Sequence, residues 1–232
     1  SNTSLHLTLT HQDKAIWKST VVKGNANMKI VVGDKDNVTF KMVYVDGGTF
    51  NMGETPGMEN KDDLTNVHKV TLSPFYIAET VVTNALWKTV MNWNLSENDG
   101  MYNPVENISW DDCQNFIEIL NEMTGMKFRL PTEAEWEFAA RGGNSSNHTL
   151  YSGSNNIDDV AWCRANCSKA YPVAQKKPNE LGLYDMSGNV WEWCEDFQGE
   201  YLSNNQVNPQ GPKFGSKRIA RGGSWNYPEE YC

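Results

Sequence analysis

The uneven distribution of helix signals along the chain is the feature that most constrains its fold. Three helix starts with a capping side chain, at Thr83, Ser109 and Thr132, all lie in the first 140 residues. Ser109 and Thr132 are each followed three residues later by an acidic side chain, which is the pattern of a capping box. Beyond Gly143 the chain is polar and rich in turn residues, with only short strand-like runs. We therefore predict an α+β domain with a few helices, short strands and little regular secondary structure.

Strand-like runs locate the start of the main domain. Thr8–Thr10 and Met28–Val32 have the composition of strands, so we interpret residues 1–38 as a β-rich N-terminal extension. Phe40–Val45 and His68–Leu72 are also predicted strands, and we assign residues 39–232 to the main domain. The sequence leaves open whether the extension folds as a small β-unit or packs against this domain.

Composition argues against two classes of function. The formal net charge is −9 and the pI is about 4.9, whereas nucleic-acid binding relies on a concentrated field of lysines and arginines. No apolar run approaches the roughly 20 residues of a membrane-spanning helix. We therefore expect a globular domain with no nucleic-acid partner and no membrane span.

The five cysteines do not define a disulfide framework by their number or spacing. They are Cys113, Cys163, Cys167, Cys194 and Cys232. The chain contains no C-x-x-C motif and its four histidines are scattered, which argues against a zinc site. Cys232 could pair with Cys194 or be a structural cysteine, and Cys163 and Cys167 form a second local pair. The sequence does not choose between these alternatives.

Three motifs together resemble the formylglycine-generating enzymes, also known as sulfatase-modifying factors. The motifs are Leu130–Gly143, Gly182–Trp193 and Arg221–Cys232, and the resemblance runs from about Phe40 to the C-terminus. It implies the formylglycine-generating variety of the C-type-lectin-like fold, with short, mostly antiparallel strands, and an extracytoplasmic location. In the family the chain continues past the cysteine that matches Cys232, so we expect the C-terminal part of the family domain to be missing.

The resemblance places a potential copper site on the last residues of the chain. In the family, two cysteines five residues apart bind Cu(I) and take part in oxidising a substrate cysteine with O₂ to formylglycine. Alignment on Gly222-Gly223-Ser224 puts Cys232 at the second cysteine and Tyr227 at the first. A phenol does not replace a thiolate on the soft Cu(I) ion. Cys232, Ser224 and Tyr231 match the family's active strand and are the catalytic residues if the chain is active.

Two functional hypotheses follow from this mismatch. We prefer a secreted or cell-surface, non-catalytic binding or structural module that keeps the scaffold without the copper pair. Its ligand would be a peptide, a protein or a glycan, and Trp225 and Tyr227 are the candidate binding residues because the matching strand lines the family's substrate groove. The alternative is a copper-dependent oxidoreductase that converts a cysteine of sulfatases to formylglycine. Whether the chain is an enzyme stays open at this point.

A calcium site is implied by the second half of the Gly182–Trp193 motif. The family's ligands correspond to the side chains of Asp185 and Glu192 and to the backbone carbonyls of Gly188 and Val190. Calcium accepts carboxylates and main-chain carbonyls from one folded loop. The other interpretation is an ordinary turn in which the two carboxylates accept hydrogen bonds from backbone amides.

Tryptophans in the same motifs are predicted to be structural. The spacing around Trp136 and Trp191 fits core packing, and tryptophan is usually highly buried. We therefore expect both to lie in the core.

Overall fold

A computed structural model describes residues 2–11, 26–33, 37–53 and 67–232. The described residues form four α-helices. They are α1 (Asn84–Met91), α2 (Trp110–Thr124), α3 (Glu133–Ala140) and α4 (Ile157–Val160). Short 3₁₀ turns follow at Gly143–Ser145 and Glu229–Tyr231.

The predicted helix starts are confirmed at each capping residue. The Thr83 hydroxyl accepts a hydrogen bond from the backbone of Leu86 at the start of α1. Ser109 and Thr132 both form complete capping boxes, in which the side chains of residues 112 and 135 accept from the cap backbone. Gly125 ends α2 in the left-handed conformation, with φ of 69°, as expected for a glycine C-cap.

Within the described ranges, ten short strands build three small sheets. They are β1 (Thr3–Leu5), β2 (Thr8–Thr10), β3 (Met28–Val32), β4 (Val38–Val45), β5 (Gly48–Met52), β6 (His68–Leu72), β7 (Phe75–Ala78), β8 (Trp191–Phe197), β9 (Gln206–Val207) and β10 (Arg218–Arg221). The strand orders are β1-β8-β10, β2-β7-β4-β3 and β5-β6-β9. Most neighbours are antiparallel, and the β1–β8 and β6–β9 pairs are parallel. The α+β prediction with short strands is confirmed.

Strands from the N-terminal region are built into the sheets of the main domain. β1 pairs with β8, β2 pairs with β7, and β3 pairs with β4. The predicted boundary after residue 38 therefore does not separate two sheets. Residues 2–11 cross from one sheet to another, since β1 and β2 belong to different sheets.

Among the described residues, two large apolar clusters and a smaller one around Val190 fill the space between the helices and sheets. The first surrounds the buried rings of Trp87 and Phe116, which stack with their centroids 4.8 Å apart. The second lies beneath α3 and includes Trp136, Phe138 and Cys194. Within the described part of the chain, none of the helices combines the length and the apolar character required to cross a membrane.

Candidate functional site

A cleft of about 290 Å³ lies where the segment after β10 meets α3 and β8. Trp136 and Glu137 contribute from α3, and Trp191 contributes from β8. Tyr231 and Cys232, two of the predicted catalytic residues, also line the cleft. The third, Ser224, does not line it: its side chain is fully buried and donates a hydrogen bond to the Asn226 side chain at 2.6 Å.

Two glycines turn the chain so that its last residues rest on the cleft. Gly222 and Gly223 have φ values of 95° and 73°, which few other residues adopt. A Cβ on Gly223 would lie 2.6 Å from the carbonyl oxygen of Tyr231. The Gly-Gly pair is therefore required for the terminal residues to fold back over β10.

Three aromatic rings meet at the edge of the cleft: Trp191 and Tyr231 line it, and Tyr227 packs against both of them. Trp191, Tyr227 and Tyr231 meet edge to face, with centroid separations of 5.2 Å, 6.4 Å and 5.6 Å. Tyr227 and Tyr231 are 39% and 49% exposed. We call these three residues the aromatic rim. It occupies the position where the family resemblance places the first copper cysteine.

The prediction that Trp191 is a core residue is wrong, whereas that for Trp136 is confirmed. Trp136 is 5% exposed, but Trp191 is only half-buried. The reason is the alternation of β8, which turns Trp191 outward and buries Glu192 and Cys194. Trp225 packs beside a small buried cluster that contains Val190, so of the two predicted binding residues only Tyr227 joins the rim.

A loop that contains two further cysteines packs against the terminal segment. The backbone amide of Arg164 donates to the carbonyl oxygen of Tyr227 at 3.0 Å. Burial, together with the nearby thiols of Cys163 and Cys167 and the carboxylate of Glu229, raises the pKa of Cys232 to about 12. The spacing of the cysteines along the chain gave no signal of this neighbourhood.

All five cysteines, each within the described ranges, are free thiols. Cys194 lies in the cluster beneath α3, and the suggested pairing of Cys194 with Cys232 is not formed. Cys163 and Cys167 are likewise unbonded, although the Cys167 thiol lies 3.1 Å from the Cys163 carbonyl oxygen.

Cys232 should react slowly with alkylating reagents in the folded protein. Only the thiolate reacts, so a pKa near 12 predicts alkylation at pH 8 roughly a thousandfold slower than for an exposed cysteine. Iodoacetamide labelling followed by peptide mass spectrometry measures this rate, with the denatured chain as control. Labelling of folded Cys232 as fast as in the denatured chain would contradict the expectation.

Charged side chains from α3 and β10 form the floor of the cleft. Arg221 donates to Glu137 at 2.7 Å and lies 3.6 Å from Glu133. Arg141 also pairs with Glu137, and the hydroxyl of Tyr201 donates to Glu133 at 2.7 Å. Burial raises the pKa of Glu133 even though Arg221 opposes this shift. No local sequence pattern indicates this network, because Arg221 lies 84 residues beyond Glu137.

The carboxylate of Glu192 is fully buried, and its side-chain hydrogen-bond partners among the described residues contact only one of its two oxygens. Its Oε2 accepts hydrogen bonds from His6 Nδ1 at 2.5 Å and from Trp136 Nε1 at 2.6 Å. Its Oε1 has no partner among the described residues. A buried carboxylate oxygen without a partner is costly, so a ligand for this atom would stabilise the fold.

Asp185 is the second buried carboxylate of this region. Its Oδ2 accepts from the backbone of Ala174 at 2.8 Å. Burial raises its pKa to about 6, and the nearby Glu192 contributes to the same shift. The turn between them is tight, since a Cβ on Gly188 would lie 2.4 Å from the carbonyl oxygen of Trp162.

The donor set of this turn fits a hard cation. Two buried carboxylates, of which Asp185 has a raised pKa, and one oxygen without a partner are features that a bound cation would stabilise. The described residues hold no group of three histidine, cysteine or acidic side chains placed around a metal. A cation here would therefore need main-chain oxygens as well, as predicted for Gly188 and Val190. Calcium at these four residues stays a prediction.

Comparison with known proteins identifies the family. A family model described as the sulfatase-modifying factor enzyme 1-like domain matches residues 29–232. The chain belongs to this sulfatase-modifying factor family. The match begins within β3, so it includes residues on both sides of the predicted boundary at 38 but not β1 or β2.

Relatives within the family carry different names. The chain is 33% identical to a Paenibacillus barcinonensis protein called chaperone protein LppX, over 81% of this chain and 79% of that protein. It is 30% identical to the formylglycine-generating enzyme of Streptomyces coelicolor, over 82% and 80% of the two chains. It is 34% identical to the serine/threonine-protein kinase pkn1 of Chlamydia pneumoniae over 80% of this chain, but spans only 33% of that kinase.

Solved structures of similar shape include the Treponema denticola variable protein 1. It has a TM-score of 0.80 and 30% identity, and the match covers 90% of this chain and 91% of that one. The expected formylglycine-generating variety of the C-type-lectin-like fold is thereby confirmed.

Proposed function

We propose that this sulfatase-modifying factor domain is a non-catalytic module that binds a polypeptide in the cleft beneath the aromatic rim. The observation that carries the proposal is Tyr227, which lies on this rim in contact with Trp191 and Tyr231. The family resemblance implies a copper-binding cysteine at this position. On this proposal, the cleft presents an aromatic surface where the enzymes hold a metal ligand.

The remaining cysteine is poorly suited to bind copper alone. Cu(I) favours thiolates, and Cys232 has a pKa raised to about 12, so it is a neutral thiol at pH 7. The phenol of Tyr227 is a hard oxygen donor with a high pKa. These two groups do not form the soft, two-sulfur site of the enzymes.

The chemistry of the cleft supports a polypeptide ligand. The rim offers edges and faces of three aromatic rings, which are favoured contact residues in protein recognition. Beneath it, Arg221 and Glu137 present both signs of charge. One relative is named a chaperone and others formylglycine-generating enzymes, so the scaffold is shared by proteins with different activities.

A structural calcium ion and an extracytoplasmic location are part of this proposal. Asp185 and Glu192 would hold the ion with their side chains, and Gly188 and Val190 with their carbonyl oxygens. When bound, calcium supplies positive charge that offsets the repulsion between two buried carboxylates. The location rests on the family resemblance and is tested by fractionation of the native cells.

Selection from a random peptide library displayed on phage tests the binding proposal. We expect selected peptides to lose at least about tenfold in affinity to Trp191→Ala and Tyr231→Ala, since a few aromatic residues often dominate binding. Phe214→Ala is the matched control, because Phe214 is 87% exposed and does not line the cleft. Failure to select any peptide whose binding depends on the rim, or selective binding of glycans on an array, would contradict the proposal.

Copper-dependent oxidation is the second candidate, favoured by the thiols of Cys163 and Cys167 close to Cys232. One of them could supply the second sulfur that position 227 lacks. A Cu(I) titration beside an oxidation assay on a sulfatase-type cysteine peptide separates the candidates. Stoichiometric Cu(I) binding that is lost in Cys232→Ala, together with formylglycine in the product, would replace the binding proposal with the enzyme.

A further inference from the structure

His6 connects the N-terminal segment to the buried carboxylate of Glu192. His6 lies between β1 and β2 and is fully buried. Its Nδ1 contacts Glu192 Oε2 across a separation of 186 residues. It lies upstream of the stretch that matches the family model, which begins at residue 29.

The two oxygens of Glu192 lie in different environments. Both His6 Nδ1 and Trp136 Nε1 reach Oε2, at 2.5 Å and 2.6 Å, and neither reaches Oε1. Oε1 is buried and has no partner among the described residues. Two donors on one oxygen fix the rotation of the carboxylate and leave the other oxygen in a constant direction. This is the arrangement by which residues behind a metal ligand orient it.

The backbone around His6 is held on both sides. β1 pairs in parallel with β8, with Ser4 opposite Glu192. The carbonyl oxygens of Leu5 and Leu7 accept from Val82 and Ala78 at 2.9 Å and 2.8 Å. Leu5 and Leu7 are fully buried in the first apolar cluster. The flanking residues therefore fix the position of His6. When this segment is docked, the side chain of His6 lies against Glu192.

We propose that His6 is a positioning residue of the calcium site: by holding Oε2 of Glu192 it leaves Oε1 to the cation, so that calcium binding and docking of residues 2–11 support one another. This inference rests on the calcium site of the proposed function. It goes beyond that site because the N-terminal segment supplies none of the four predicted ligands. Coupling between two binding events is reciprocal, so calcium also stabilises the docked segment.

Isothermal titration of the full chain with CaCl₂ tests the proposal. We expect His6→Ala to weaken calcium binding at least about tenfold, in the range found when residues behind a metal ligand are removed. His6→Asn should recover most of the affinity, because its amide can donate near the position of Nδ1. Leu7→Ala is the control: it removes a buried side chain from the same segment and should lower the melting temperature with little change in calcium affinity.

Each outcome separates the inference from the site on which it rests. If wild type binds no calcium, the calcium part of the proposed function fails and the inference fails with it. If wild type binds and Glu192→Gln does not, but His6→Ala binds as tightly as wild type or more tightly, the site is correct and the role of His6 is wrong. If Leu7→Ala weakens calcium binding as much as His6→Ala, docking alone matters and the positioning role is also wrong.

Discussion

Replacement of Tyr227 with cysteine should give this protein a Cu(I) site that the wild type lacks. The new thiol would occupy the position of the first copper cysteine, five residues before Cys232. Two thiolates bind Cu(I) far more tightly than one, so we expect the affinity to rise by about a hundredfold or more. Copper binding should also lower the effective pKa of Cys232, because the metal displaces the thiol proton. Competition titration against a Cu(I) chelator measures the affinity.

Two further variants show whether the gain depends on sulfur. Tyr227→Ser removes the same ring without adding a thiol and should bind no more copper than wild type. Cys232→Ser in the Tyr227→Cys background should lose the gain. If wild type already binds one Cu(I) as tightly as Tyr227→Cys, then another residue completes the site and the binding-module proposal loses its main support.

Loss of the Arg221 guanidinium should be among the most destabilising changes near the cleft. Arg221→Met keeps most of the side-chain length beside Trp136 but leaves Glu133 without its cation. Removal of one partner from a buried ion pair costs about 3–5 kcal/mol, and we expect about 3 kcal/mol here because Arg141 still neutralises Glu137. Urea denaturation at pH 8 measures this free energy of unfolding.

The stability lost in Arg221→Met should be larger at high pH than at low pH. Burial already raises the pKa of Glu133, and without Arg221 it rises further. The folded state then binds a proton that the unfolded state has released, so stability falls as pH rises through this interval. The free energy of unfolding of Arg221→Met should therefore be closer to that of wild type at pH 5 than at pH 8.

Arg218→Met provides the matched control from the same strand. Arg218 stacks on Trp110 and Phe197 and donates to the backbone of Glu195. The difference in free energy of unfolding between Arg218→Met and wild type should be nearly the same at both pH values. A pH-independent loss in Arg221→Met would show that packing, and not the carboxylates, explains its effect.

Under the proposed function, the aromatic rim and the charged floor replace copper chemistry with a binding surface on the same scaffold. Gly222 and Gly223 preserve the turn that carries the terminal residues over β10. Tyr227 changes only the side chain that the segment after this turn presents at the edge of the cleft. Fold and reactivity are separable here because the shape depends on backbone and core, whereas copper chemistry depends on two side chains.

Local patterns were sufficient to predict α1 to α3 and several strands, but not β1, β8, β9 or α4. Thr83, Ser109 and Thr132 cap helices through bonds to residues three positions away, so a short window contains the whole interaction. The strands Met28–Val32 and His68–Leu72 were recognisable for the same reason. Buried and exposed side chains alternate along both strands, and the apolar residues of His68–Leu72 lie on the buried face. The family could be named from three motifs, and with it the expected positions of the copper and calcium residues.

Tertiary structure alone decided which side chains meet. His6 reaches Glu192 because β1 pairs with β8, and Cys163 approaches Cys232 because a loop lies on the terminal segment. Trp191 faces outward because of its register in β8. These contacts join residues far apart in the chain, and their geometry follows from strand order and register. Local propensity encodes neither, so the sequence by itself determined the capped helices, several strands and the family, and the packing of distant segments determined the site.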